Sequence, residues 1–164
     1  MRLHTIIIII GTFISYHCIA QNANKDSTVN KNAKNIYLEL GGNGIAVSVN
    51  YDFRFTKSQK GLGMRVGGMF LGGSEGGFFA LPIGLNYLIG KAPNYFETGL
   101  GYTYASEAGN FSSGEKISLL VPSVAYRYQP LKNGVTFRAG FDPLIGLTEP
   151  GWITWFGLSV GYKF

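Results

Sequence analysis

The chain has 164 residues and a formal charge of +5, with 24 glycines, an aromatic share of 15% and charged residues at only 14%. A length of this order suits one domain, and so few charges among so many apolar residues exclude a disordered chain or a solvated coiled coil. The basic balance raises nucleic acid as a partner, a reading that depends on where the charges fall.

Residues 1–20 read as a targeting segment. Arg2 and His4 give a short positive start, and residues 6–14 form an apolar stretch too short to cross a bilayer as a helix. Cys18-Ile19-Ala20 then places small residues where a signal peptidase cuts before Gln21, the pattern of a cleaved secretory signal peptide. A lipidated Cys18 is the competing reading, but bulky Tyr16 and His17 stand where a lipoprotein signal has small residues; a retained anchor is the third.

Removing 20 of 164 residues leaves 144, and takes away the one cysteine, Cys18, and both histidines, His4 and His17. The remainder has no disulfide framework, no thiolate nucleophile and no cysteine-based metal site. It also lacks the usual general base of serine and cysteine hydrolases, so no catalysis, metal or cofactor is expected. A carboxylate-only site drawn from Glu39, Asp52, Glu97 or Asp142 is the catalytic alternative. Residues 21–34 are polar and without periodicity, a flexible lead segment before a domain spanning 35–164.

Within 35–164 the hydrophobic pattern has period two and never settles into a helical repeat. Residues 45–55 are the clearest case: every odd position is apolar or aromatic and every even one small or polar, giving a strand with two unlike faces. Similar runs at 35–41, 62–71, 78–89, 94–105, 116–128, 134–142 and 153–164 bring the predicted strands to eight, separated by Gly-, Asn-, Ser- and Pro-rich turns.

Eight alternating strands fit a soluble barrel with its apolar face inward or a membrane barrel with that face outward. Four features favour the membrane. The runs match the roughly 9–11 residues a tilted strand needs to cross hydrocarbon. Aromatics gather in two girdles: Phe53, Phe55, Tyr87, Tyr95, Phe96, Tyr126, Tyr128, Tyr162 and Phe164 at one rim, and Phe70, Phe78, Phe79, Tyr102, Tyr104, Phe141, Trp152 and Trp155 towards the other. The polar face is rich in glycine (Gly67, Gly84, Gly99, Gly101, Gly140, Gly157, Gly161), which makes room inside a narrow barrel. The fourth is the terminal run FGLSVGYKF, residues 156–164, which alternates and ends on phenylalanine.

This pattern and terminus resemble the small, eight-stranded OmpA/OmpX-type barrel class of Gram-negative outer-membrane proteins. The resemblance implies an all-β, eight-stranded antiparallel up-and-down transmembrane β-barrel over 35–164, in the cell outer membrane after export. It also implies that the barrel-assembly machinery recognises the end of the chain through Tyr162 and Phe164. Both ends would then be periplasmic, with connections 41–44, 72–77, 106–116 and 144–151 facing outside.

On that topology the outer loops carry Glu75, Glu107, Glu115 and Glu149 against Lys116, for −3, and the inner turns carry Lys57, Lys60, Lys91 and Lys132, for +4. The lead segment adds +2. The polar strand face holds Arg54, Arg65, Arg127, Arg138 and Lys163 against Glu39, Asp52, Glu97 and Asp142, for +1. No basic patch interleaved with aromatics survives to follow a phosphate backbone, so nucleic acid is excluded as a partner. The interior charges must pair, because an isolated buried charge costs several kcal/mol; a lumen ion network is expected, with Tyr37 and Asn50 as accessory donors. An ion pathway lined by the four arginines is the alternative.

Pro82 and Pro122 interrupt two strands, each removing a ladder N–H. A local bulge is the simpler reading, and a lateral gap beside one of them the other. The expected function is a monomeric, non-catalytic barrel in contact with outer-membrane lipids, structural or surface-interacting through a ligand at loop 106–116. The alternative is a porin-like transporter of small apolar molecules or small solutes.

Overall fold

The computed structural model describes residues 33–73, 76–108 and 116–164. The signal-peptide reading and nearly all of the lead segment lie outside the described residues, as does most of the proposed contact loop. The chain forms strands β1 (Lys34–Gly41), β2 (Val47–Arg54), β3 (Gly61–Gly73), β4 (Gly76–Lys91), β5 (Asn94–Ala108) and β6 (Lys116–Tyr128). They are followed by β7 (Gly134–Phe141), β8 (Leu144–Gly146), β9 (Gly151–Ile153) and β10 (Phe156–Lys163). All pairings are antiparallel; β1 pairs with β10, and β5 with β6, so the sheet closes on itself.

The ten segments make eight staves. Phe141 pairs with Phe156 and Leu144 with Ile153 at one common offset, so β7 and β8 are two parts of the seventh stave, and β9 and β10 of the eighth. The predicted runs, 134–142 and 153–164, cover β7 and, but for its first residues, the eighth stave; the seventh stave continues past the prediction, beyond a break at residues 142–143, where Pro143 has no amide to contribute. Beyond the break, β8 and β9 turn most of the expected loop 144–151 into a short hairpin.

Period-two alternation becomes inside and outside. Leu38, Val49, Ile83, Leu100, Phe137, Leu158 and their outward neighbours are exposed, and this outer belt carries no charged side chain among the described residues. The charged positions Glu39, Asp52, Arg54, Arg65, Glu97, Arg127, Arg138, Asp142 and Lys163 are all buried in the lumen, none more than 5% exposed. That is the reverse of a protein dissolved in water. The girdles are present on the outside with three exceptions. Tyr95 and Trp155 occupy inward positions, with Tyr95 buried, and Phe78 packs against the lumen residues Met69, Ala80 and Ala105.

The first connection is the largest departure from the sequence reading. Instead of an exposed turn, Gly42–Gly44 form a single buried 3-10 turn that folds back into the barrel. Gly41 donates its amide to Ala46 O at 2.6 Å, and Ala46 donates to Gly44 O at 2.9 Å, closing a γ-turn on Ile45 with φ at +71°. A β-branched residue at positive φ is strained, at a cost of about 1–3 kcal/mol. Packing against the Met69, Ala80 and Ala105 cluster holds Ile45 there.

Candidate functional site

The lumen is the site, and its charged layer is built by strands that place every second residue inward. Arg54 Nη2 donates to both carboxylate oxygens of Asp52 at 2.8 Å. Asn86 donates to Asp52 Oδ2 at 2.6 Å and accepts from Arg54 through its own oxygen. Arg127 reaches the same Asp52 at 3.2 and 3.3 Å and Glu97 Oε2 at 3.0 Å. Arg138 donates to Glu97 Oε1 at 3.0 Å, to Asp142 at 2.7 and 3.1 Å, and to Glu39 Oε1 at 3.4 Å. Arg65 completes the chain, 3.7 Å from Glu39.

Four arginines and four carboxylates therefore form one connected, formally neutral network around the barrel interior. Neutrality and shared hydrogen bonds make burial of so much charge tolerable, since each ion removed from water costs several kcal/mol unless partnered. One void in this layer, lined by Asn35, Tyr37, Arg127, Thr136 and Arg138 among others, is about 10 Å³. That is space for roughly one water.

Glycine on the lumen face leaves the room these side chains occupy. A Cβ on Gly63 would collide with the Arg54 guanidinium, and one on Gly101 with the Asn43 amide. At Gly157 it would lie 2.6 Å from Asp142 Oδ2 and 2.9 Å from Gly42 Cα.

Both ends of the lumen are covered among the described residues. At the end reached by the β1–β2 hairpin, the turn Gly42–Gly44 lies across the barrel, and Thr103 on β5 donates to Asn43 O at 2.6 Å. At the opposite end, Gln59 from the 55–60 turn donates to Leu131 O, and Gln129 Nε2 reaches Gln59 Oε1 at 3.4 Å. Lys163 stands apart from the charged network and donates to the carbonyls of Pro130 and Leu131, and Thr136 to Asn35 Oδ1 at 3.1 Å.

Of the nine ionisable positions the sequence assigns to the lumen, the structure joins eight and leaves Lys163 at the rim. Asn50 bonds Ser48 at 2.7 Å rather than a charged group. Sequence reasoning missed Asn86, Asn43, Thr103 and the glutamines, although Asn86 stands at an inward position of a regular alternating run, which is the signal that could have found it.

The two prolines differ. Pro82 is buried and pairs with Thr103 on the β5 side; on the β3 side pairing lapses opposite Gly67 and Gly68. Pro122 pairs with Leu100, and pairing lapses on its other side, towards the seventh stave. The offset is unchanged above and below each lapse, so neither proline sits in the bulge that sequence reading favoured. Tyr162 pairs with Ile36, and the Phe164 amide donates to Lys34 O at 3.0 Å, where the last stave meets the first.

No protein-family model and no curated protein sequence matches this chain. Among solved structures it is similar to the N-terminal β-barrel domain of Pseudomonas aeruginosa OprF, with a TM-score of 0.53 at 14% identity. The match covers 82% of this chain and 98% of that domain. The likeness is one of fold: a closed eight-stranded antiparallel barrel of the kind the sequence resemblance implied.

Proposed function

We propose that this chain is a barrel of the bacterial outer membrane whose lumen is a sealed, load-sharing core, and that it serves as a structural or surface-presenting element without catalysis. The uncharged, exposed outer belt between two aromatic girdles supports the location, since only hydrocarbon around it makes such a surface favourable. The fold shared with the OprF barrel domain supports it too. Export through a signal peptide cleaved before Gln21, and recognition of Tyr162 and Phe164 by the assembly machinery, belong to the same reading.

The observation that carries the role is the neutral network of Arg54, Arg65, Arg127 and Arg138 with Glu39, Asp52, Glu97 and Asp142, closed at both ends. Each carboxylate is held by an arginine and none faces an open cleft, which disfavours a carboxylate-only catalytic site. β5 and β6 run 15 and 13 residues against 8 in β1 and β2, so their hairpin stands out at the end assigned to the cell exterior and carries the candidate contact loop 106–116.

The test is single-channel recording on the purified barrel in planar bilayers. The sealed lumen predicts no conductance steps in the intact chain. Reproducible open levels would replace this reading with the porin-like one.

A further inference from the structure

Among the described residues, pairing in the barrel wall lapses most fully along the line between β6 and the seventh stave. Val124 pairs with Phe141 and Leu120 with Ile145 at the same offset, so Val121, Pro122 and Ser123 stand opposite Leu144, Pro143 and Asp142, with no pairing between them. Pro122 thus faces Pro143. Asp142 gives its amide to Trp155 O at 2.9 Å on the far side of the stave. Backbone alternation then turns the polar groups of Pro143 towards β6. At the pair where two N–H donors would close the ladder, neither residue has one. The Pro82 lapse is lesser, because Gly67 opposite keeps its amide.

The inner side of this line is apolar where it adjoins the hairpin end of the lumen. Val121 and Leu144 are buried there, and Ile117, on the same face of β6 as Val121, packs against the cluster of Met69, Ala80 and Ala105. Directly beneath lie the turn Gly42–Gly44 and the charged layer, a floor that no hydrocarbon would cross. Outside, an apolar groove of about 570 Å³ runs mainly over β1, β7 and β10, with Tyr126 of β6 at its edge and no residue of the proline line in its lining.

We propose that the wall between Pro122 and Pro143 is a lateral exit for an uncharged, single-chain hydrocarbon. Such a molecule enters at the hairpin end, displaces the flexible Met69 side chain, is stopped by the floor and leaves sideways into the bilayer. Separation of the staves at this point breaks no proline-to-proline hydrogen bond, whereas every fully laddered seam would lose several. The proposal rests on the outer belt facing a bilayer.

The test uses the full barrel in vesicles with a lipopolysaccharide outer leaflet, and N-phenyl-1-naphthylamine as the apolar probe, read by its fluorescence in hydrocarbon. Residues 35–164 contain no cysteine, so the Val121→Cys/Leu144→Cys variant places a single disulfide across the line, between facing positions of an antiparallel pair. Protein-containing vesicles should take up the probe faster than empty ones. Oxidation of the variant should slow uptake about tenfold or more, equivalent to about 1.4 kcal/mol or more of barrier, and reduction should restore it.

Pro122→Ala/Pro143→Ala, which returns both amides, should also slow uptake, while Pro82→Ala should leave it unchanged. Hydrogen exchange at residues 121–124 and 144–146 should be faster than in β1 and β2. Uptake no faster than in empty vesicles, or indifferent to both the disulfide and the restored amides, overturns the lateral exit. Failure of the chain to insert at all would instead overturn the membrane reading on which it rests.

Discussion

Glu97 shows how single residues hold the lumen together. Its two oxygens each accept from a different arginine, Arg127 and Arg138, so it joins the Asp52 half of the network to the Asp142 half. Glu97→Gln keeps the shape but removes the charge and substitutes a donor for one acceptor, leaving two buried guanidinium groups short of a counter-ion. Loss of one partner from a buried pair costs about 3–5 kcal/mol, and urea unfolding in detergent, followed by tryptophan fluorescence, should show a loss of that order. A change near zero would mean that the lumen is wet enough to solvate the arginines. The sequence made the charge set legible because alternation assigns each residue to a face; the partnerships join residues up to 99 positions apart and depend on barrel closure.

At the scale of elements, the strands were legible and their interruptions were not. Regular alternation located all eight runs to within a few residues. The inward fold of the first hairpin had no local signature, since the GGNG of residues 41–44 reads equally well as an exposed turn. It becomes buried because Gly84, Gly101 and Gly157, on three other strands, leave a space of its size. Gly157→Ala brings a methyl to 2.9 Å from Gly42 Cα and 2.6 Å from Asp142, pressing on backbone that cannot swing aside. The expected loss is about 1–3 kcal/mol, as for other overpacked cores, accompanied by faster hydrogen exchange at residues 41–46. Exchange unchanged there would show that the turn does not depend on this contact.

At the scale of the whole molecule, the distribution of charge separates this barrel from one stabilised at its surface. The network is buried, so mobile ions screen it little, whereas exposed pairs weaken once salt shortens the screening length. Unfolding free energy in detergent should therefore change by less than about 0.5 kcal/mol between roughly 0.05 and 1 M potassium chloride. A steep loss would place the stabilising pairs in contact with solvent. What the sequence determined by itself was eight two-faced runs, because period-two alternation is a local consequence of backbone geometry; the aromatic girdles, the glycine-rich polar face and the terminal run then pointed the apolar face outward, with Tyr95, Trp155 and Phe78 as the misassigned positions. Tertiary structure alone decided which charges meet, that the first hairpin stoppers the lumen and that Pro122 faces Pro143, because these depend on register, and register is fixed only when every strand has found its neighbours around the closed sheet.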